Sequence, residues 1–146
     1  NILKTQITMF VVMVIVGITV NPMNILIYKL DHLYFSKTLL YGGLFMASNM
    51  IWAHEIVHYI TMNHFNPNYF LFGVVLSLVI ANNLLRNQYC VNEKEWLKRM
   101  IPHHSTALTT SYKIYNRTSD PKIKKLANEI INTQKKEIKQ MKSMLI

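Results

Sequence analysis

Six histidines and nine methionines lie in a chain of 146 residues, and imidazole and thioether are both metal ligands, so their spacing is where chemistry would show first. His103 and His104 are adjacent, and His104 falls in the series Leu97, Ile101, His104, Leu108, Ser111, Tyr115, whose steps of four and three trace one helix face. A second series, Ile123, Ala127, Ile130, Gln134, Glu137, Met141 and Met144, repeats the pattern. His104 interrupts the first seam, and Gln134 and Glu137 interrupt the second. Polar side chains turned toward a helix interface lose water and need partners. Two readings stay open on spacing alone: a hydrogen-bonded cluster that holds two helices in register, and a metal site that gathers His103, His104, Gln134, Glu137 and Met141.

A second set of candidates lies upstream. Met46, Met50, His54 and His58 are four residues apart and form a slowly winding stripe on a helix. Soft thioethers with imidazoles favour copper over hard cations, whereas methionine at helical spacing is also ordinary packing material. His54-Glu55-Ile56-Val57-His58 further matches H-E-x-x-H, in which two histidines one turn apart bind zinc and the glutamate activates water. A third ligand would have to come from His32, His64 or Glu137, and the chain is short for a substrate cleft, so an intramembrane zinc protease is a remote alternative. Glu55, inside an apolar stretch, needs a partner; Asn82, Asn83 or a histidine is the expectation.

The elements that must hold these residues divide by composition. The chain is 51% hydrophobic and carries a net charge of +9, but 13 of its 16 Lys/Arg and 5 of its 7 acids follow residue 85. An apolar half joined to a basic half is the composition of a membrane anchor with a soluble appendage. We expect an all-α protein: three transmembrane helices, at about residues 5–28 with a kink at Pro22, 39–62 and 69–85, followed by an amphipathic helical hairpin. The domains are then residues 1–88, within the lipid bilayer, and the basic hairpin 89–146. Lys/Arg asymmetry makes the chain a multi-pass membrane protein with its hairpin on the cytoplasmic or topologically equivalent side; the sequon Asn116-Arg117-Thr118 points the other way and is short enough to carry little weight. Asn92 with Glu95, and Asp120 with Pro121, read as the starts of the two hairpin helices, and Pro102 should kink the first of them just before the paired histidines. Cys90, the only cysteine, is expected to be inert. Asn1 in place of Met marks a processed or partial form. Lysines 122, 124, 125, 135, 136, 139 and 142 form a solvated face that can also meet anionic lipid or nucleic acid.

Met100-Ile101-Pro102-His103-His104, then Asp120-Pro121, Leu126-Ala127, Ile130-Ile131, Gln134, Glu137-Ile138 and Met141, resemble the signature of the family called domain of unknown function 305. The resemblance covers roughly residues 95–145. It implies a ferritin-like helical bundle half, and an association of some members with copper implies metal handling, with Met100 near the site. Some members place membrane spans ahead of the domain. The family pattern has Gln after the two histidines and Met a few residues later, where this chain has Ser105 and Thr110. The leading expectation is a membrane-anchored, non-enzymatic protein that sequesters or hands on copper, with zinc as the alternative metal. The competing one is a structural membrane protein packed against other membrane or capsid proteins; the Asn, Ile and Lys richness makes a viral membrane or virion one form of it.

Overall fold

An Asn or Asp followed by Pro opens three of the helices, and local chemistry explains why. The Asx side chain accepts a backbone N–H from the first turn, and proline at the first helical position has no N–H to leave unpaired. In the computed structural model, which describes residues 1–146, Asn21 caps α2 (Pro22–Leu26), Asn66 caps α4 (Pro67–Val79) and Asp120 caps α6 (Pro121–Met144). The remaining helices are α1 (Ile2–Thr19), α3 (Lys37–Met62) and α5 (Glu93–Arg117). A short 3-10 turn spans Leu30–His32, and a wider π-helical turn, Ile80–Arg86, continues α4. The protein is all-α.

The first apolar helix differs from expectation. Instead of bending at Pro22 and running on to residue 28, α1 ends at Thr19, and Asn21 Oδ1 accepts the Asn24 N–H to begin a separate helix. Two stretches, Ile2–Leu26 and Pro67–Arg86, are long and apolar enough to cross a membrane. The first lies near the N-terminus, where a signal sequence passes the same test. The 26-residue α3 has the length, but Asn49, His54, Glu55 and His58 keep its hydropathy below that of a typical span.

The chain forms two compact units, and one is discontinuous: residues 1–20 with 37–90, and residues 21–36 with 91–146. Residues 21–36, which sequence reading groups with the spans, pack on the hairpin instead. In the first unit α3 lies between α1 and α4. A Cβ on Gly17 would come within 3.0 Å of the Gly43 Cα, and one on Gly43 within 2.9 Å of Ile18 Cγ1, so α1 and α3 cross backbone to backbone. Gly73 brings α4 onto Ile51 and Trp52 of α3 in the same way, with 2.7 Å from its would-be Cβ to the Trp52 nitrogen. Small residues at such crossings let helices approach closely in water or in lipid. The outward faces of α1 and α4 remain apolar and exposed, with Ile7, Ile15, Leu71 and Phe72 among them.

In the second unit α5 and α6 form an antiparallel hairpin over a core of Leu97, Ile101, Leu108, Ile131, Ile138 and Met141. The caps fall where the sequence puts them, with Asn92 Oδ1 accepting the Glu95 N–H and Asp120 Oδ1 the Lys122 N–H. The buried face of α6 keeps Ala127 and Met141 of the expected seam and is otherwise offset by one position: Ile131 and Ile138 are inside, Ile130, Gln134 and Glu137 sit at the flank, and Ile123 and Met144 are exposed. On α5 the fully buried polar residue is Ser105, and His104 lies beside it at the edge.

These crossings yield a paired expectation. Gly43→Val should lower stability by about 1–3 kcal/mol, the cost of overpacking a close contact, while Gly42→Ala, whose Cβ would meet nothing within 4 Å, should be neutral or slightly stabilising. Thermal unfolding followed by circular dichroism in detergent checks this; equal melting temperatures for the two variants would contradict the crossing.

Candidate functional site

A buried hydroxyl must find hydrogen-bond partners or pay a desolvation penalty. Ser105 lies on the inner face of α5 and is completely buried, and its partners come from the segment 77 residues earlier in the chain. The Tyr28 N–H donates to Ser105 Oγ at 2.7 Å, and His32 Nδ1 lies 2.8 Å from the same oxygen. Together the two contacts meet the hydrogen-bonding needs of the hydroxyl, which can donate to His32 Nδ1 or accept from it according to the ring's tautomer. The His32 Nε2 faces Asp31 at 3.9 Å. Burial lowers the His32 pKa against the pull of Asp31, with Lys142 and Lys29 adding to the lowering. Tyr28 stacks on Tyr112 with ring centroids 5.0 Å apart, Asp31 pairs with Lys142, and Arg99 donates to the Met23 thioether.

On the next position of α5, His104 turns toward α6. Its Nδ1 lies 3.0 Å from Glu137 Oε2, but the two are not aligned as a hydrogen bond, and Nδ1 is a buried atom without a hydrogen-bond partner. Gln134 Oε1, one turn before Glu137 on the same flank of α6, is also buried and unpartnered. The five expected residues are thus partly assembled. His104 and Glu137 meet and Gln134 flanks them, while Met141 packs in the core and is 7% exposed. His103 points outward, its ring centroid 5.9 Å from that of His104. Its ring is exposed by area, yet the atoms packed around it lower its pKa first, and Arg99 and His104 lower it further. Pro102 is accommodated inside α5 without ending it; with no N–H it leaves the Lys98 carbonyl without its usual intrahelical donor.

The second candidate set lies in the first unit. His54 and His58 stack at 5.7 Å, and His64 meets His58 edge to face at 5.1 Å. These rings, with Gln6, Glu55 and Asn66, line a cavity of about 250 Å³ where the start of α1, the end of α3 and the start of α4 come together. Met46 is exposed on α3, and neither it nor Met50 lines the cavity. His64 is the member the stripe did not contain, although it stands in the turn that Asn66-Pro67 forces after α3. Glu55 is 3% exposed and accepts the Asn66 N–H at 2.9 Å, with His54 Nδ1 at 3.8 Å. Its partner is therefore the α3–α4 turn rather than Asn82 or Asn83. Asn82 donates to its own helix at the Leu78 carbonyl. Asn49 is likewise satisfied within α3, accepting from the Trp52 indole. Nowhere do three His, Cys, Asp or Glu side chains converge closely enough to hold a metal among themselves. A site here has to draw on other donors, such as amide oxygen or thioether.

Among known families, the one described as a domain of unknown function (DUF305) matches residues 82–145. An uncharacterized protein of Acanthamoeba polyphaga mimivirus is 45% identical over 71 residues, a stretch that covers 49% of this chain and 47% of that protein. The chain therefore spans about half the length of the curated relative it matches. No solved structure matches.

Ser105→Ala would strip Tyr28 and His32 of their shared partner and should cost about 1–3 kcal/mol, the usual penalty for orphaned buried polar groups. Hydrogen exchange would report it as faster exchange at residues 28–33 with the middle of α6 unchanged; protection of residues 28–33 equal to wild type would contradict the anchoring role.

Proposed function

Because residues 82–145 form a DUF305 domain, we propose that this chain is a membrane-anchored metal-binding protein that sequesters or passes on a soft ion, copper before zinc, and performs no catalysis. The observation that supports this best is a pair of buried atoms without a hydrogen bond: His104 Nδ1, 3.0 Å from Glu137 Oε2, and Gln134 Oε1, one helical turn before Glu137. Buried polar atoms are rarely left without partners. A cation bound by imidazole, amide oxygen and carboxylate would satisfy all three, and the carboxylate offsets its charge. His103 on the open side of the hairpin and Met100 beside the core supply further soft donors. Met141 would join by changing rotamer, which its unbranched side chain allows. The absence of Gln and Met at Ser105 and Thr110 leaves fewer donors than the family pattern, which suits an ion that is handed on rather than locked in.

In this reading α1, α3 and α4 cross the bilayer, with the polar residues of α3 turned to one another and to the α3–α4 turn. The exposed apolar faces of α1 and α4 support it, since ionisable groups in a bundle face its interior and apolar ones face lipid. The Lys/Arg distribution favours the basic unit on the cytoplasmic or equivalent side.

A second reading, a structural component of a viral membrane or virion, is favoured by the mimivirus relative. There the apolar faces of α1 and α4 would pack on other membrane or capsid proteins, and the polar flank of the hairpin would set register only.

Elemental analysis after copper exposure and washing separates the two. The metal reading expects about one copper per folded chain, as a single site would bind, and loss of that copper in a His103→Ala, His104→Ala double variant and in Glu137→Gln. No retained metal in a folded wild-type sample would leave the structural reading standing.

A further inference from the structure

Segment 28–32 and α6 flank an open cleft of about 530 Å³ within the second unit. Lys29 enters it from the segment, and Lys135, Lys139 and Lys142 from α6, where the spacing of four and three puts them on one face. Leu108 and Ile138 also line it, and no carboxylate does. The acid held against this group, Asp31, is paired with Lys142. Lys135 lies over the Tyr112 ring. The side-chain ammonium groups of Lys29 and Lys139 form neither an ion pair nor a hydrogen bond, although the Lys29 carbonyl accepts the His32 N–H. Four ammonium groups around one cleft with a single neutralising acid repel one another, and a bound anion would relieve that repulsion.

We propose that this cleft is a binding site for a phosphate monoester or diphosphate group, borne either by a lipid headgroup or by a soluble molecule. Lysine heads are compact point charges with three donors each and suit a multiply charged phosphate, to which charge-assisted hydrogen bonds are the strong kind. The apolar lining and the Tyr28 ring leave room for the carbon next to the phosphate. The site depends on docking of segment 28–32, because without it Lys29, Tyr28 and His32 are missing from the wall. It uses none of the proposed metal donors and stands whether or not the hairpin binds metal.

The test uses the full chain in a neutral detergent at low ionic strength, with inorganic pyrophosphate titrated by calorimetry. Saturable binding is expected, and Lys29→Ala with Lys139→Ala should weaken it about tenfold, the scale of losing charge-assisted contacts. Lys125→Ala with Lys136→Ala, which removes the same charge from α6 outside the cleft, should leave it nearly unchanged. Because the ammonium groups of Lys29 and Lys139 have no partners to lose, the cleft variant should fold; Lys29→Gln with Lys139→Gln, checked by circular dichroism, serves as the second variant. Phosphatidic acid added to the micelles identifies the source: competition with pyrophosphate assigns the cleft to lipid headgroups, and no competition assigns it to a soluble phosphate. Equal loss in the two lysine pairs, as for nucleic acid or any polyanion on a diffuse basic surface, would overturn the proposal, and so would the absence of saturable pyrophosphate binding.

Discussion

The hydroxyl of Ser105 is the point on which docking of residues 21–36 onto the hairpin depends. It is completely buried, and a hydroxyl there is tolerated only with its hydrogen-bonding capacity met. The backbone N–H of Tyr28 and the ring of His32 meet it. A larger residue at this position would occupy the space into which the segment folds, and an apolar one would leave two donor or acceptor groups of the segment unmatched. Everything else the segment contributes follows from that anchor: the Tyr28–Tyr112 stack, the Asp31–Lys142 pair and the wall of the lysine cleft.

The same constraint separates two kinds of polar residue on the hairpin. Ser105 is central and fully satisfied. His104, Gln134 and Glu137 are displaced to the flank, where Glu137 keeps 43% of its side chain exposed, and two of their buried atoms have no partner. A register device would be expected to satisfy its own groups, as Ser105 does. The contrast is what favours the proposed binding role at the flank over a purely structural one.

The two hairpin helix starts are legible in the sequence because their causes are local: Asn92 and Asp120-Pro121 act within one turn, whereas the same kind of cap at Asn66 starts α4 two residues before the expected span. The choice between Ile130 and Ile131 is not legible, because both are apolar and only packing against Leu108 and Ile101 decides which faces inward. Pro22 was read as a kink in a long span; Asn21, as a cap competing for the same turn, made it a helix start instead. The partner of Glu55 and the place of His64 both depend on the tight α3–α4 turn, whose backbone geometry the hydropathy pattern does not encode. Least legible is the segment 21–36, which sequence reading divides between the end of the first span and the loop after it, and whose contacts lie far along the chain.

That discontinuity bears on how the protein is made. Tyr28 and Asp31 leave the ribosome long before Ser105 and Lys142, their partners 77 and 111 residues later. At translation rates of roughly 5–20 residues per second, the early segment waits on the order of ten seconds with its donors unmatched. A chain truncated before Lys142 ends its synthesis with Asp31 lacking its cationic partner and that segment incompletely covered.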